Sequence, residues 1–293
     1  MDLEQVIGEL KRRSGIRVDI NRVRSVVGGS INKAFCLLAD PEPLFVKINA
    51  AHTLPVFEAE VEGLEALRSA EGVSVPETVD VGCVGETSYL ALRWVEFSSK
   101  IKSAEHLLGV ALAQQHRDIA EQFGWHRENT IGATPQRNTL MCNWSDFFRL
   151  ERLGVQLELA VERGLPQQQL DQAYYVMERL EWFFVGREPV ASLLHGDLWS
   201  GNWGCDASGE PFIYDPAVYY GDREVDLAMT RLFGGFGDAF YSAYQNEWPL
   251  TDGWEARVDL YNLYHLLNHF NLFGASYLDQ TSDTLSRLWN SAR

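Results

Sequence analysis

SLLHGDLWSGNWGCDASGEPFIYDPAVYY, residues 192–220, gathers a His, an Asn and two Asp around one turn. An apolar run ends at Leu194, His195-Gly196-Asp197 follows, and Asn202 stands five residues beyond Asp197. Residues 206–209 have the composition of a tight turn, and 211–214 read as a short strand that delivers Asp215 to its end. Phosphoryl transfer needs such a set: one carboxylate to orient and deprotonate an attacking hydroxyl, and an amide with a second carboxylate to hold Mg2+ on the phosphates. The spacing H-x-D-x-x-x-x-N with a later Asp is that of a kinase loop, which makes Asp197 the base and Asn202 and Asp215 the magnesium ligands. A plain hairpin could carry the same turn formers. The reading therefore depends on a matching strand lysine upstream.

That lysine is present. Residues 44–48, Leu-Phe-Val-Lys-Ile, are apolar on both sides of Lys47, the V-x-K form of the strand whose ammonium meets the α- and β-phosphates of ATP. Ahead of it, residues 23–27 and 34–38 flank Gly28-Gly29-Ser30-Ile31-Asn32, a hairpin tip whose exposed N–H groups could cover phosphates. Residues 54–70 have helical period, and Glu60 falls on the apolar stripe with Phe57, Val61, Leu64 and Leu67, whereas Glu58, Glu62 and Glu65 fall outside it. A carboxylate on a buried face is costly without a cation, so Glu60 is the expected partner of Lys47. Two further strand-like runs, 78–81 and 87–92, lead to Arg93-Trp94-Val95-Glu96, where the alternation breaks. In a two-lobed kinase this break is the hinge, and it sets the expected lobe boundary: 1–95 for nucleotide binding, 96–293 for catalysis and substrate.

Composition narrows the partners. Lys plus Arg number 25 against 41 Asp plus Glu, a formal net charge of −16. Such a balance argues against a nucleic-acid partner, whose binding is driven by basic patches. The chain has no apolar run of 18 residues, so no membrane span is expected. Residues 1–14 read as an amphipathic helix rather than a secretory segment. Cys36, Cys83, Cys142 and Cys205 are scattered and form no C-x-x-C pair, which suggests neither zinc nor a disulfide framework and fits a reducing cytoplasm.

Beyond the hinge the sequence is mostly helical: 104–123, 144–163, 167–185, a helix beginning at 222, and 261–273. Residues 124–143 read as loop, and Trp182-Phe183-Phe184 as core packing. His106 and His116 read as ordinary helix residues. Asp226 is either a first-turn acid favoured by the helix dipole or an acceptor for the backbone of the catalytic turn. His265, Asn268, His269 and Leu272 share one helical face, a polar pocket wall more than a zinc site, because no third ligand lies near.

HGDLWSGN, the Asp215-Pro216 pair, FGGFGDAFYSAY at 233–244, LLNHFNLFG at 266–274, GGSIN at the glycine tip and NTIGATPQRN at 129–138 together resemble the fructosamine kinase (ketosamine-3-kinase) family. The resemblance implies an α+β, bilobal, protein-kinase-like fold with a small sheet-plus-helix N-lobe and a mostly helical C-lobe. It implies transfer of the ATP γ-phosphate, with Mg2+, to the 3-hydroxyl of a fructosyl- or ribulosyl-amine, free or on a protein lysine, a step in deglycation repair. By the same resemblance Asp197 is the base, Asn202 and Asp215 bind magnesium, Lys47 binds phosphate and Arg93, Trp94 and Val95 form the adenine hinge. Trp199, two after the base, and Asn268 with His269 on the late helix are the expected substrate contacts. Ser30 stands where some relatives carry a cysteine that links two subunits, so a disulfide-linked dimer through that position is not supported. Two other readings share parts of this pattern. The HGD-to-Asn motif also fits aminoglycoside- and choline-type kinases, and a pseudokinase scaffold would need the nucleotide residues but no base.

Overall fold

Alternating apolar residues build the first third of the chain into one sheet. In the computed structural model, which describes residues 2–26, 31–99 and 102–293, five antiparallel strands stand in the order β1 (Arg17–Val26), β2 (Lys33–Asp40), β3 (Leu44–Ala50), β5 (Thr87–Arg93), β4 (Thr78–Val84). Successive strand residues face opposite sides, so Leu44, Val46 and Ile48 with Tyr89 and Ala91 meet one helix, α1 (Leu3–Ser14), through its Val6 and Leu10. Burying Val6 and Leu10 contributes about 1.5–3 kcal/mol each. Asp2 caps α1 by accepting from the N–H groups of Glu4 and Gln5, and Gly15 ends it at φ 69°.

The other sheet face holds Phe45, Leu90 and Leu92 against Phe57, Leu64 and Leu67 of α2 (Leu54–Ser69). Lys47, paired in register with Leu90, shares that face by strand alternation. The fold thus points the one cation of β3 at the α2 face that carries Glu60.

The remainder is mainly helical, with α3 (Lys102–Gln115), α4 (Trp144–Phe147), α5 (Val155–Glu162), α6 (Gln167–Glu178), α7 (Glu224–Leu232), α8 (Asp238–Glu247), α9 (Trp254–Phe273) and α10 (Leu278–Ser291). Three small sheets interrupt it: β6 (Ile119–Ala120) with β9 (Ala191–Leu194) and β12 (Tyr219–Gly221), the hairpin β7 (Asn129–Ile131) and β8 (Thr134–Gln136), and the hairpin β10 (Trp203–Cys205) and β11 (Pro211–Ile213). Helix α3 lies directly on α8, where a Cβ at Gly109 would come within 2.3 Å of the Phe240 carbonyl oxygen. Among the described residues no helix is long and apolar enough to cross a membrane.

Several boundaries differ from the sequence reading. The helix expected over 104–123 stops at Gln115, because Ile119 and Ala120 pair with Ser192 and Ala191 beside the strand that leads to His195. The segment 124–143 is not all loop: β7 and β8 form a hairpin turned at Gly132, φ 60°. The helix expected over 144–163 widens into a π-helical stretch, Phe148–Gly154, that brings Arg152 fully inside with its guanidinium 3.8 Å from the Tyr219 ring centre. The helix expected over 167–185 ends at Glu178, and a 3-10 turn, Leu180–Phe184, follows it. Leu180 and Phe184 of that turn are buried in the core, and Phe183 packs against it. Trp182 is 60% exposed, contrary to the packing expected of it.

Candidate active site

The buried strand β9 runs into His195-Gly196-Asp197, and α7 fastens the turn from below. Asp226 accepts from the backbone N–H of His195 at 2.7 Å and of Gly196 at 2.9 Å, so the second of its two sequence readings holds. His116, read from sequence as an ordinary helix residue, lies 3.1 Å from Asp226 through Nε2 and 2.8 Å from the Tyr244 hydroxyl through Nδ1. Burial would raise the Asp226 pKa, but the hydrogen bond and charge of His116, with the Gly196 N–H, hold it below the usual carboxylate range.

The tautomer of His195 follows from its neighbours. Its Nδ1 faces the Asp197 N–H at 3.2 Å and accepts, so Nε2 carries the proton and donates to the Tyr214 carbonyl at 3.0 Å. Burial lowers its pKa, which keeps the ring neutral in that role. Gly196 cannot be replaced cheaply: φ is 83°, and an added Cβ would stand 2.1 Å from the Ala217 carbonyl oxygen. Gly196→Ala is expected to cost about 2–5 kcal/mol through left-handed strain and overpacking. Chemical denaturation measures this, and an unchanged midpoint would show that the turn can shift freely.

Asp197, Asn202 and Asp215 belong to this turn and to the hairpin β10–β11 that follows it. Asn202 donates its Nδ2 to the Asp197 carbonyl at 2.9 Å and to its Oδ2 at 3.3 Å. Among the described residues its Oδ1 has no hydrogen-bond donor of its own. The Asp197 carboxyl is pushed up to about 7, first by burial and then by the charges of Asp215 and Asp226, with Asn202 pulling the other way. Asp215 follows β11 at φ 58°, a left-handed conformation that Asp tolerates better than most residues. Its Oδ1 lies 2.7 Å from Lys47 Nζ, and the same Nζ lies 2.6 Å from Glu60 Oε1. Lys47 is a buried cation between two carboxylates. Burial opposes its charge, but Asp215 and Glu60 outweigh burial and hold its pKa above the ordinary lysine value. The oxygen of Asn202 and the exposed carboxylate of Asp215 are hard donors of the kind Mg2+ takes.

The hinge residues divide. The N–H of Arg93 goes to the Glu77 carbonyl at 2.8 Å and that of Trp94 to the Pro43 carbonyl at 3.0 Å, whereas that of Val95 makes no backbone bond among the described residues. Gly28, Gly29 and Ser30 lie outside the described residues.

Of the three expected substrate contacts, two share a wall. The Trp199 ring crosses Gly201, where a Cβ would stand 2.3 Å from it, and meets Phe233 edge-on at 6.3 Å between ring centres. Phe233 in turn lies 5.0 Å from His269, which also contacts Tyr277 at 4.9 Å. His269 Nδ1 donates to the His265 carbonyl at 2.8 Å, which leaves Nε2 without a hydrogen-bond partner among the described residues. Asn268 differs. It is buried, and its Oδ1 accepts from Thr134 Oγ1 at 2.6 Å and Gln156 Nε2 at 3.4 Å, so it braces β8 against α5 rather than sharing the aromatic wall. Both fell within the broad i, i+3, i+4 face read from the sequence, and that face alone could not tell His269 from Asn268.

Sequence reasoning missed Phe233, Tyr277, His116 and the polar pair Asn129 and Gln136. A family model described as fructosamine kinase matches residues 3–291. A protein of Synechocystis sp. named "Probable ketoamine kinase" is 42% identical over 287 residues, 97% of this chain and 96% of its own length. A chloroplastic protein-ribulosamine 3-kinase of Oryza sativa subsp. japonica is 40% identical over 266 residues, 90% of this chain and 77% of its own. The crystal structure of a candidate fructosamine-3-kinase from Thermobifida fusca superposes with a TM-score of 0.88 at 31% identity, covering 99% of this chain and all of that one.

Proposed function

The chain belongs to the fructosamine kinase family, and we propose from this how its cleft phosphorylates a ketoamine. It is a phosphotransferase acting on a sugar hydroxyl of ketoamines. In our reading residues 1–95 form the nucleotide lobe and 96–293 the catalytic and substrate lobe, with adenine at the hinge and the N–H of Val95, which makes no backbone bond among the described residues, as its donor. Lys47, oriented by Glu60, takes the α- and β-phosphates of ATP. Asn202 and Asp215 would hold Mg2+, which would supply charge stabilisation to the transferring phosphoryl group. Asp197 accepts the proton of the sugar hydroxyl.

One observation carries this reading. The Glu60–Lys47–Asp215 chain at 2.6 and 2.7 Å joins two separate regions of the sequence at the edge of the turn that carries Asp197 and Asn202. A nucleotide-binding scaffold would need the first three residues but would gain nothing from Asp197, whose burial beside two other carboxylates disfavours its charge. The acceptor is a ketoamine carried by a small amine or by a protein lysine, and the enzyme works in the cytoplasm. Turnover of ATP with ribulosyl-lysine, fructosyl-lysine, kanamycin and choline tests the assignment. Faster phosphorylation of kanamycin or choline would overturn it.

A protonated ketoamine nitrogen needs an aromatic face, and the sugar needs polar partners beside it. Trp199 and the Nε2 edge of His269, linked through Phe233, supply both. Trp199→Ala and His269→Ala are each expected to raise KM for ribulosyl-lysine about tenfold while KM for ATP stays close to wild type, the pattern of lost substrate binding. Equal losses for both substrates would return these residues to a packing role.

A further inference from the structure

The hairpin β7–β8 joins the helix that carries Glu60 to the segment that carries Asp215. On one side Asn129 Nδ2 donates to the Val218 carbonyl at 2.8 Å and Gln136 Nε2 to the Ala217 carbonyl at 3.1 Å, three and two residues past Asp215. Gln136 and Asn138 each donate to Asn129 Oδ1 at 2.9 Å, and the Tyr264 hydroxyl donates to Gln136 Oε1 at 2.7 Å, so the hairpin is braced within itself and against α9. On the other side the residues just ahead of it reach α2. Arg127 Nη1 meets Glu62 Oε1 at 2.5 Å, His126 Nε2 meets Glu62 Oε2 at 2.9 Å, and Arg127 Nη2 donates to the Pro55 carbonyl at 3.2 Å. Asn138 Nδ2 donates to the Arg127 carbonyl at 3.0 Å and so ties this reach back to the hairpin.

The helix also touches the far segment directly. A Cβ on Gly63 would stand 3.1 Å from a Val218 methyl group. Glu60 and Glu62 are two residues apart, about 200° around the helix. One therefore faces Lys47 while the other faces Arg127. A rotation or outward slide of α2 that released Glu60 from Lys47 would have to break the Glu62 cluster as well.

We propose that Arg127, with His126, is a positioning residue: it clamps Glu62 so that α2 keeps Glu60 on Lys47, and the hairpin couples this clamp to Asp215. The inference rests on the reading of Lys47 as the phosphate-binding lysine. Exposed single ion pairs contribute little. This one is different in kind, since two side chains converge on one carboxylate and Arg127 also holds the first turn of the same helix. The carboxyl of Glu62 agrees: although burial opposes it, His126 and Arg127 hold its pKa below the usual range.

A double-mutant cycle tests the clamp. Glu62→Gln and Arg127→Ala should each raise KM for MgATP about three- to tenfold and leave KM for ribulosyl-lysine within about twofold of wild type. The double variant should be no worse than either single one, and Arg127→Lys should restore part of the loss. Amide hydrogen exchange across 57–67 should quicken in the same variants. Additive losses in the cycle, or quicker exchange with an unchanged KM for MgATP, would overturn the proposal. A wild-type enzyme that turned over no ketoamine would instead overturn the substrate assignment, and MgATP affinity by calorimetry would still decide the clamp.

Discussion

Asp197→Asn is expected to lower kcat by about two to four orders of magnitude while leaving MgATP affinity close to wild type, the usual worth of a positioned general base. The substitution keeps the shape of the turn. An amide oxygen at this position can still accept from Asn202, and the backbone N–H can still reach His195 Nδ1. Retained turnover would remove Asp197 from the mechanism.

The same variant has a second readout, in stability. The Asp197 carboxyl is raised to about 7 by burial and by Asp215 and Asp226, so the folded protein holds a proton there that the unfolded chain has already released. Between the ordinary aspartate value near 4 and about 7, stability from this group falls as pH rises, and above that window the full penalty applies. The metal-free Asn variant should therefore melt at or above the wild-type temperature at pH 8. Catalytic groups held against their own solvation commonly carry such a cost.

What the sequence disclosed and what it did not divide along physical lines. Spacing in the turn and alternation in the strands were legible because period and register are local: Val46 and Ile48 face α1, so Lys47 must face α2. Glu60 was separable from Glu58, Glu62 and Glu65 by helical phase alone. The helix boundary misplaced past Gln115 comes from long-range pairing. Residues 119–120 leave a helical pattern because a partner strand some seventy positions later offers its edge, and nothing within a helical window registers that. The role of His116 was hidden for the same reason, since its meaning depends on Asp226 and Tyr244, each more than 100 positions away. Trp182 shows the converse: local hydrophobicity suggested burial, but the turn exposes it. Asn268 and His269 are adjacent in sequence and differ only in which neighbours their helix meets.

Replacement of Asp215 should produce the other large loss, and the choice of substitute decides what is learned. Its φ of 58° penalises most side chains. Asp215→Ala therefore removes the carboxylate and adds roughly 1 kcal/mol or more of backbone strain, so a loss in that variant is ambiguous. Asn tolerates the left-handed region nearly as well as Asp. Asp215→Asn consequently isolates the charge. It should lower kcat by about three orders of magnitude, corresponding to the several kcal/mol of charge stabilisation that a held metal ion supplies to a moving phosphoryl group. Its melting temperature should stay near wild type. Lys47, now paired with Glu60 alone, should still engage the phosphates, so KM for MgATP should change far less than kcat. Lys47→Ala should show the reverse balance, with the larger change in KM for MgATP, because that side chain binds phosphate in both the ground and transition states. Chelation of all divalent metal should abolish turnover in the wild type. If turnover persists without metal, or if Asp215→Asn retains it, Asp215 acts only as a counter-ion to Lys47 and the metal assignment falls.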